Sequence, residues 1–134
     1  VCSAIKNIYA LVIGAGQSLN KSSSLFQKSL LEMKYLTKYF NGKETTVESL
    51  AGVGDLYVSA AGGRNSKMGD YLGKGFTFKS AKKKFMFKDT VEGEQLAREI
   101  GPFIFKKINL QKIPLMINLI RSLLKNKKLN LKKL

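Results

Sequence analysis

Residues 3–16 read SAIKNIYALVIGAG, and the fold class turns on whether this stretch is a strand or a helix. As a strand, the apolar run at residues 8–13 would feed the glycines of GAG and open a dinucleotide-binding fold. As a helix, it is a largely buried rod carrying one charge, Lys6. The apolar positions decide between them: Ile5, Ile8, Tyr9, Val12 and Ile13 recur at helical spacing, which predicts a helix over about residues 3–18. The glycine strings agree. GAGQSL (14–19) and GVGDLY (52–57) each begin a G-x-G-x-x-G fingerprint but end on Leu19 and Tyr57, and neither lies between a strand and a helix. GAGQSLNKS (14–22) ends in Lys21 and Ser22 like a phosphate-cradling loop, yet no glycine precedes the lysine.

Working outward, Ser22, Ser23 and Ser24 are candidate N-caps before a stripe at Phe26, Leu30, Met33, Leu36, Thr37 and Phe40, which Asn41 and Gly42 stop. Thr45 and Glu48 have capping-box spacing and predict a short helix. It breaks at Gly52, Val53, Gly54 and Asp55, where Asp55 can cap one more turn through Leu56, Tyr57 and Val58. After Gly62 and Gly63, residues 64–72 resume helical spacing through Met68, Tyr71 and Leu72, ended by Gly73 and Gly75. A loop leads into residues 80–86, and a helix follows over about 91–100 with acids in its first turn, where the macrodipole favours them. Pro102 is expected to end that helix or turn the chain. Pro114 opens a last helix whose stripe is Leu115, Met116, Leu119, Ile120, Leu123 and Leu124. With no sustained strand alternation and no internal repeat, the expected fold is a single all-α domain over residues 1–134, with a basic tail from about 125 to 134.

Composition sets the outer limits. The chain has 134 residues, 44% of them apolar, and a mean hydropathy of −0.11, enough to bury one core. One cysteine, Cys2, and no histidine exclude an intramolecular disulfide framework, a zinc site needing several Cys or His ligands, and Ser-His-Asp or Cys-His catalysis. No metal site is expected. The longest apolar run, residues 8–13, is far short of the roughly 20 residues needed to span a bilayer, and no signal peptide opens the chain. The expected compartment is the cytoplasm. A start at Val1, inside a helical pattern, predicts a fragment of a longer protein.

Twenty-four Lys and Arg stand against nine Asp and Glu, a formal net charge of +15, and residues 61–134 alone carry +13. Lys82, Lys83 and Lys84 form one run and residues 125–133 another. An excess of this kind can mark nucleic-acid or anionic-membrane binding, because each neutralised phosphate releases counterions. Only three of the cations are arginines, Arg64, Arg98 and Arg121, whereas base-edge readers favour the planar Arg fork. The lysines therefore read chiefly as solvated surface, and a basic helical module for nucleic acid or membrane is the rival reading.

One constellation carries chemistry: Lys6 and Asn7 on the first helix, Gly52 to Leu56 at a helix break, and Gly62, Gly63, Arg64 and Asn65 at a helix start. A helix N-terminus preceded by two glycines and bearing an arginine suits a phosphate, and a lysine beside a carboxylate in a partly dry cleft can donate or accept a proton at a substrate oxygen. In order, SAIKNIYALVIGAG, LLEMKYLTKYF, ESLAGVGDL, GGRNSKMGDYLGKG and TVEGEQLAREI resemble the C-terminal substrate domain of NAD-dependent glycerol-3-phosphate dehydrogenases. The resemblance runs from residue 1 to about 120. It implies an all-helical domain of the kind shared with 6-phosphogluconate dehydrogenase, normally preceded by a Rossmann domain that holds NAD or NADP.

Carried over by position, the resemblance implies that Lys6 is the general acid/base at the C2 oxygen of dihydroxyacetone phosphate, with Asp55 holding it in register. Asn7, Ser59, Gly63, Arg64 and Asn65 would surround the phosphorylated substrate. Arg64 would also face the cofactor phosphates, and Thr90 and Glu92 would contact the cofactor ribose. A homodimer through the helical domain is implied as well. A related hydroxyacid dehydrogenase would share the lysine chemistry, but Arg64 and Asn65 at a Gly-Gly helix start argue for a phosphorylated substrate. The chain departs from the family pattern at residues 17–24, which lack a Gly/Asp-rich turn, and beyond Pro114, where the Lys/Leu-rich tail matches poorly.

Overall fold

The computed structural model describes residues 2–40, 56–57 and 62–134. Among the described residues are six α-helices and no strand: α1 (Cys2–Ala15), α2 (Ser22–Tyr39), α3 (Arg64–Gly73), α4 (Phe78–Phe85), α5 (Glu92–Lys107) and α6 (Pro114–Leu124). Short 3-10 turns occupy Leu110–Lys112 and Leu131–Lys133. The expected capping box at Thr45 and Glu48 and the cap at Asp55 lie outside the described residues. Leu56 and Tyr57 are helical, with Leu56 buried and Tyr57 exposed.

The first helix is the axle. Ile8, Tyr9, Ala10 and Leu11 are fully buried, and each large apolar side chain taken from water stabilises the fold by about 1.5–3 kcal/mol. α1 packs most extensively on α3, then on α5 and α2, and touches α6. The approach to α3 is close because glycines leave room for backbone. A Cβ on Gly69 or Gly73 would fall on the carbonyl oxygen of Leu11 or Ala15, and one on Gly14 would fall on that of Ser66.

Helix ends show where local signals win and where they lose. α1 stops at Ala15, short of the expected residue 18, because residues 16–20 form consecutive turns and Asn20 takes a left-handed φ of 56°. α2 starts as expected, but Lys21 occupies the N-cap and none of the three serines caps it with a side chain; Ser22 Oγ instead reaches the Ile13 carbonyl. α3 closes in a Schellman motif: Gly75, at φ 98°, donates to Leu72 O, Phe76 donates to Tyr71 O, and the Tyr71 and Phe76 rings pack edge to face. α4 begins two residues before the expected 80, with Thr77 Oγ1 accepting from the Ser80 amide.

The expectation that Pro102 ends or turns the chain is wrong: α5 continues through it to Lys107. A mid-helix proline forfeits one backbone bond and costs about 3 kcal/mol. Here the ring is exposed, and burial on both sides offsets the loss. Gly101 lies against Ile120 and Leu124 of α6, and Ile104 is buried one turn on.

Glu32 joins three helices. The Tyr9 hydroxyl donates to its Oε1 across 2.8 Å, while the amides of Leu115 and Met116 donate to Oε2 and Oε1 at 2.8 and 3.1 Å. Pro114 at the first position of α6 has no amide, and α6 has no side-chain cap of its own, so a carboxylate from α2 caps it. Burial pushes the Glu32 carboxyl above the usual range, although its three hydrogen bonds pull the other way. Tyr9 is raised well above a free phenol, first by burial and then by the carboxylate beside it.

Candidate active site

Of the residues singled out in the sequence, Asn7, Asn65 and Glu92 are joined where three helices meet. α3 opens after Gly63, which caps it in extended conformation with no side chain, and Arg64 is the exposed first residue of the helix. Asn65, next along, is buried, and its Oδ1 accepts the Gly93 amide at 2.8 Å. Gly93 belongs to the first turn of α5, whose N-cap Val91 contributes no side-chain bond. Asn65 therefore caps α5 from α3, and the two helix N-termini converge.

α1 supplies the third wall. Asn7 Nδ2 donates to Glu92 Oε2 at 3.3 Å, joining α1 to the first residue of α5. Gly93 lies so close that a Cβ there would come within 2.5 Å of the Asn7 carbonyl oxygen and 2.8 Å of Leu11 Cδ1. Lys6, half-buried, precedes Asn7 on the same helix. Gln17 Nε2 donates to Ser66 Oγ at 3.3 Å and closes the far side of α3's first turn.

The two N-termini differ in charge. α3 carries no acid in its first turn and starts with Arg64, so its positive dipole end and guanidinium suit a phosphate. α5 carries Glu92 and Glu94 there. Glu94 is buried and paired with Arg98, while Glu92 is exposed, and a carboxylate of that kind accepts from hydroxyls such as a ribose offers. Thr90 is exposed two residues before α5. Asp55 and Ser59 lie outside the described residues.

Sequence reasoning missed two things. The interhelix role of Asn65 had no local signal, because its partner is 28 positions away. Glu32 had only a weak one: it lies four residues before Leu36 and seven after Leu25, helical spacings that put it on the edge of the apolar face.

Lys6, Asn7, Arg64, Asn65 and Glu92 thus lie on three helices joined at one junction of an all-helical domain. The chain belongs to the family of the NAD-dependent glycerol-3-phosphate dehydrogenase C-terminus, which it matches over residues 1–131. That match runs further than the expected limit near residue 120 and takes in most of the basic tail. The chain is 31% identical over 123 residues to a glycerol-3-phosphate dehydrogenase [NAD(+)] of Candida tropicalis, covering 86% of this chain and 32% of that protein. It is 37% identical over 84 residues to a glycerol-3-phosphate dehydrogenase [NAD(P)+] of Phytoplasma australiense, covering 58% of this chain and 26% of that one. The crystal structure of glycerol-3-phosphate dehydrogenase from Coxiella burnetii superposes with a TM-score of 0.81 at 28% identity, covering 95% of this chain and 40% of that one. The chain spans about a third or less of the length of these curated relatives. Among the described residues, no helix is long and apolar enough to cross a membrane.

Proposed function

We propose that residues 1–134 act as the substrate-binding and catalytic domain of an enzyme that interconverts glycerol 3-phosphate and dihydroxyacetone phosphate. The observation that supports this reading is the junction of α1, α3 and α5 through the Asn65–Gly93 and Asn7–Glu92 hydrogen bonds, whose members Asn7 and Asn65 directly follow Lys6 and Arg64 in the chain. NAD or NADP would supply the hydride, held mainly by a dinucleotide-binding domain outside this chain.

Each residue's part follows from its chemistry. Lys6, as an ammonium, donates a proton to the C2 oxygen when the ketone is reduced and takes it back, as an amine, from the alcohol in the reverse direction. Asp55 holds the lysine and that oxygen in register. Arg64 pairs with the substrate phosphate and reaches the cofactor phosphates. Because Asn65 Oδ1 is committed to Gly93, the Nδ2 group is the end that faces ligand oxygens, so Asn65 serves as a hydrogen-bond donor to phosphate. Gly63 allows backbone to approach the substrate, Ser59 and Asn7 line it, and Thr90 and Glu92 accept or donate to ribose hydroxyls. The working enzyme is proposed to be a cytoplasmic homodimer.

The test is NADH oxidation with dihydroxyacetone phosphate by the full-length protein. Wild type is expected to turn over, Lys6→Ala to lose kcat by about 10²–10⁴-fold, and Arg64→Ala to raise KM for the phosphorylated substrate. An inactive wild type, or a Lys6→Ala variant with undiminished kcat, would overturn the reading.

A further inference from the structure

Residues 100–134 contain nine Lys and Arg and no Asp or Glu. The fold gathers five of these cations around one cavity. α6 ends in a Schellman turn in which Asn126 takes φ 47°, the Lys127 amide donates to Ser122 O at 3.0 Å, and Ser122 Oγ donates to Lys127 O at 2.7 Å. Four residues before Ser122, Asn118 grips the tail in both directions. Its Nδ2 donates to Asn130 O at 2.9 Å, and its Oδ1 accepts the Asn130 amide at 3.1 Å. The tail is thereby pinned back along α6 and borders an open cavity of about 370 Å³. Asn118 and Ser122, both buried, form its floor, and Arg121, Lys125, Lys127, Lys128 and Lys133 stand around it with no carboxylate among the lining residues.

Helix capping does not account for this arrangement. The backbone amides of Lys125, Asn126 and Lys127 already satisfy the carbonyls of Arg121, Ser122 and Leu123, so the lysine ammonium groups are not needed as donors to these. Five like charges around one concavity repel one another, and a ligand carrying several negative charges relieves that repulsion in a way one monovalent anion does not. The volume falls within the roughly 300–1,000 Å³ range of small-molecule sites. We propose that this cavity is a second anion site that binds an oligophosphate, a small ligand with two or more linked phosphate groups. It shares no residue with the Lys6 and Arg64 junction, so it stands or falls apart from the dehydrogenase reading.

The linked phosphates could be free or form the chain of a nucleotide, and titration calorimetry on the full-length protein at fixed ionic strength separates the two. Tripolyphosphate is expected to bind tighter than pyrophosphate, and pyrophosphate tighter than phosphate. With the dinucleotide site saturated by NADH, ATP binding tighter than tripolyphosphate supports a nucleotide occupant; the reverse order supports a free oligophosphate. The double variant Lys125→Gln/Lys128→Gln should weaken tripolyphosphate by about tenfold or more, as should Lys133→Gln in part, with unchanged thermal unfolding. The control Lys84→Gln/Lys88→Gln, whose ammonium groups lie over the Phe76 and Phe87 rings, should leave binding intact, and so should Arg64→Ala. Equal losses in the control pair, loss only in Arg64→Ala, or tripolyphosphate binding no tighter than phosphate would overturn the proposal. So would tight binding of a 20-nucleotide single strand that depends equally on both lysine runs, since that describes a diffuse nucleic-acid surface.

Discussion

Tyr9 and Glu32 meet inside the core, the phenol donating to the carboxylate across 2.8 Å, and through them α1, α2 and the start of α6 are held by one side chain. A largely buried carboxylate with three donors is a strong acceptor but a costly ion. Burial wins that contest for Glu32, whose carboxyl is raised.

The sign of the resulting pH dependence follows. A group with a raised folded pKa contributes stability that is fully present below its unfolded value, about 4.3 for Glu, and lost as pH rises through the folded value. Tyr9 follows the same rule at alkaline pH, since it too is raised and must stay protonated to donate. Glu32→Gln should therefore flatten the stability profile on the acid side of neutrality, and Tyr9→Phe should flatten the alkaline limb. Urea midpoints from pH 4 to 11 check both. Glu32→Ala should cost about 1–3 kcal/mol for each amide it orphans, read in the same titration.

The close approach of α1 and α3 makes Gly69 a sensitive position. Gly69→Ala drives a methyl onto the Leu11 carbonyl, and overpacking of this kind costs about 1–3 kcal/mol or more. Gly62→Ala, where a Cβ meets nothing within 4 Å, is the matched control and should be near neutral. Thermal melts of the two variants should separate by several degrees.

Asn65 has a structural and a proposed binding role that different substitutions divide. Asn65→Ala removes the acceptor for the Gly93 amide and should cost about 1 kcal/mol, as loss of an N-cap does. Asn65→Asp keeps that acceptor and should hold stability near wild type. It also places a negative charge beside the proposed phosphate site, so KM for dihydroxyacetone phosphate should rise while the melt stays put. A KM unchanged in Asn65→Asp would remove Asn65 from the substrate shell.

Pro102 offers a stabilising change. Pro102→Ala restores an amide in the middle of α5 and relieves the ring clash, together worth about 3 kcal/mol, against which the looser unfolded chain offsets about 0.4–1 kcal/mol. The net should be a higher urea midpoint with the m-value unchanged.

Much of the architecture was legible because it is written in local signals. Ile5, Ile8, Tyr9, Val12 and Ile13 announce α1, Pro114 opens α6 as its missing amide permits, and Gly75 takes the left-handed turn that ends α3. What could not be read depends on partners distant in the chain. Pro102 looked like a stop because its local cost is plain, while the packing that outweighs it comes from Ile120 and Leu124. The serines at 22–24 looked like caps, but the turn ahead of them puts Lys21 at that position instead. The candidate site was legible as residue types in order. That Asn65 turns its carbonyl to Gly93 emerges only when α3 and α5 are side by side.

The central position of α1 also bears on how the protein is made. Its packing partners are α2, α3, α5 and α6, so this early helix gains its neighbours in stages and the last of them only when residue 124 has been added. At about 5–20 residues per second of synthesis, part of its apolar surface, which includes Ile8, Leu11 and Val12, waits roughly six to twenty seconds for the last of that cover. Nascent-chain chaperones that bind short apolar helices would find their target here, and starving a cell of them should lower the yield of this protein before it alters the stability of the molecules that fold.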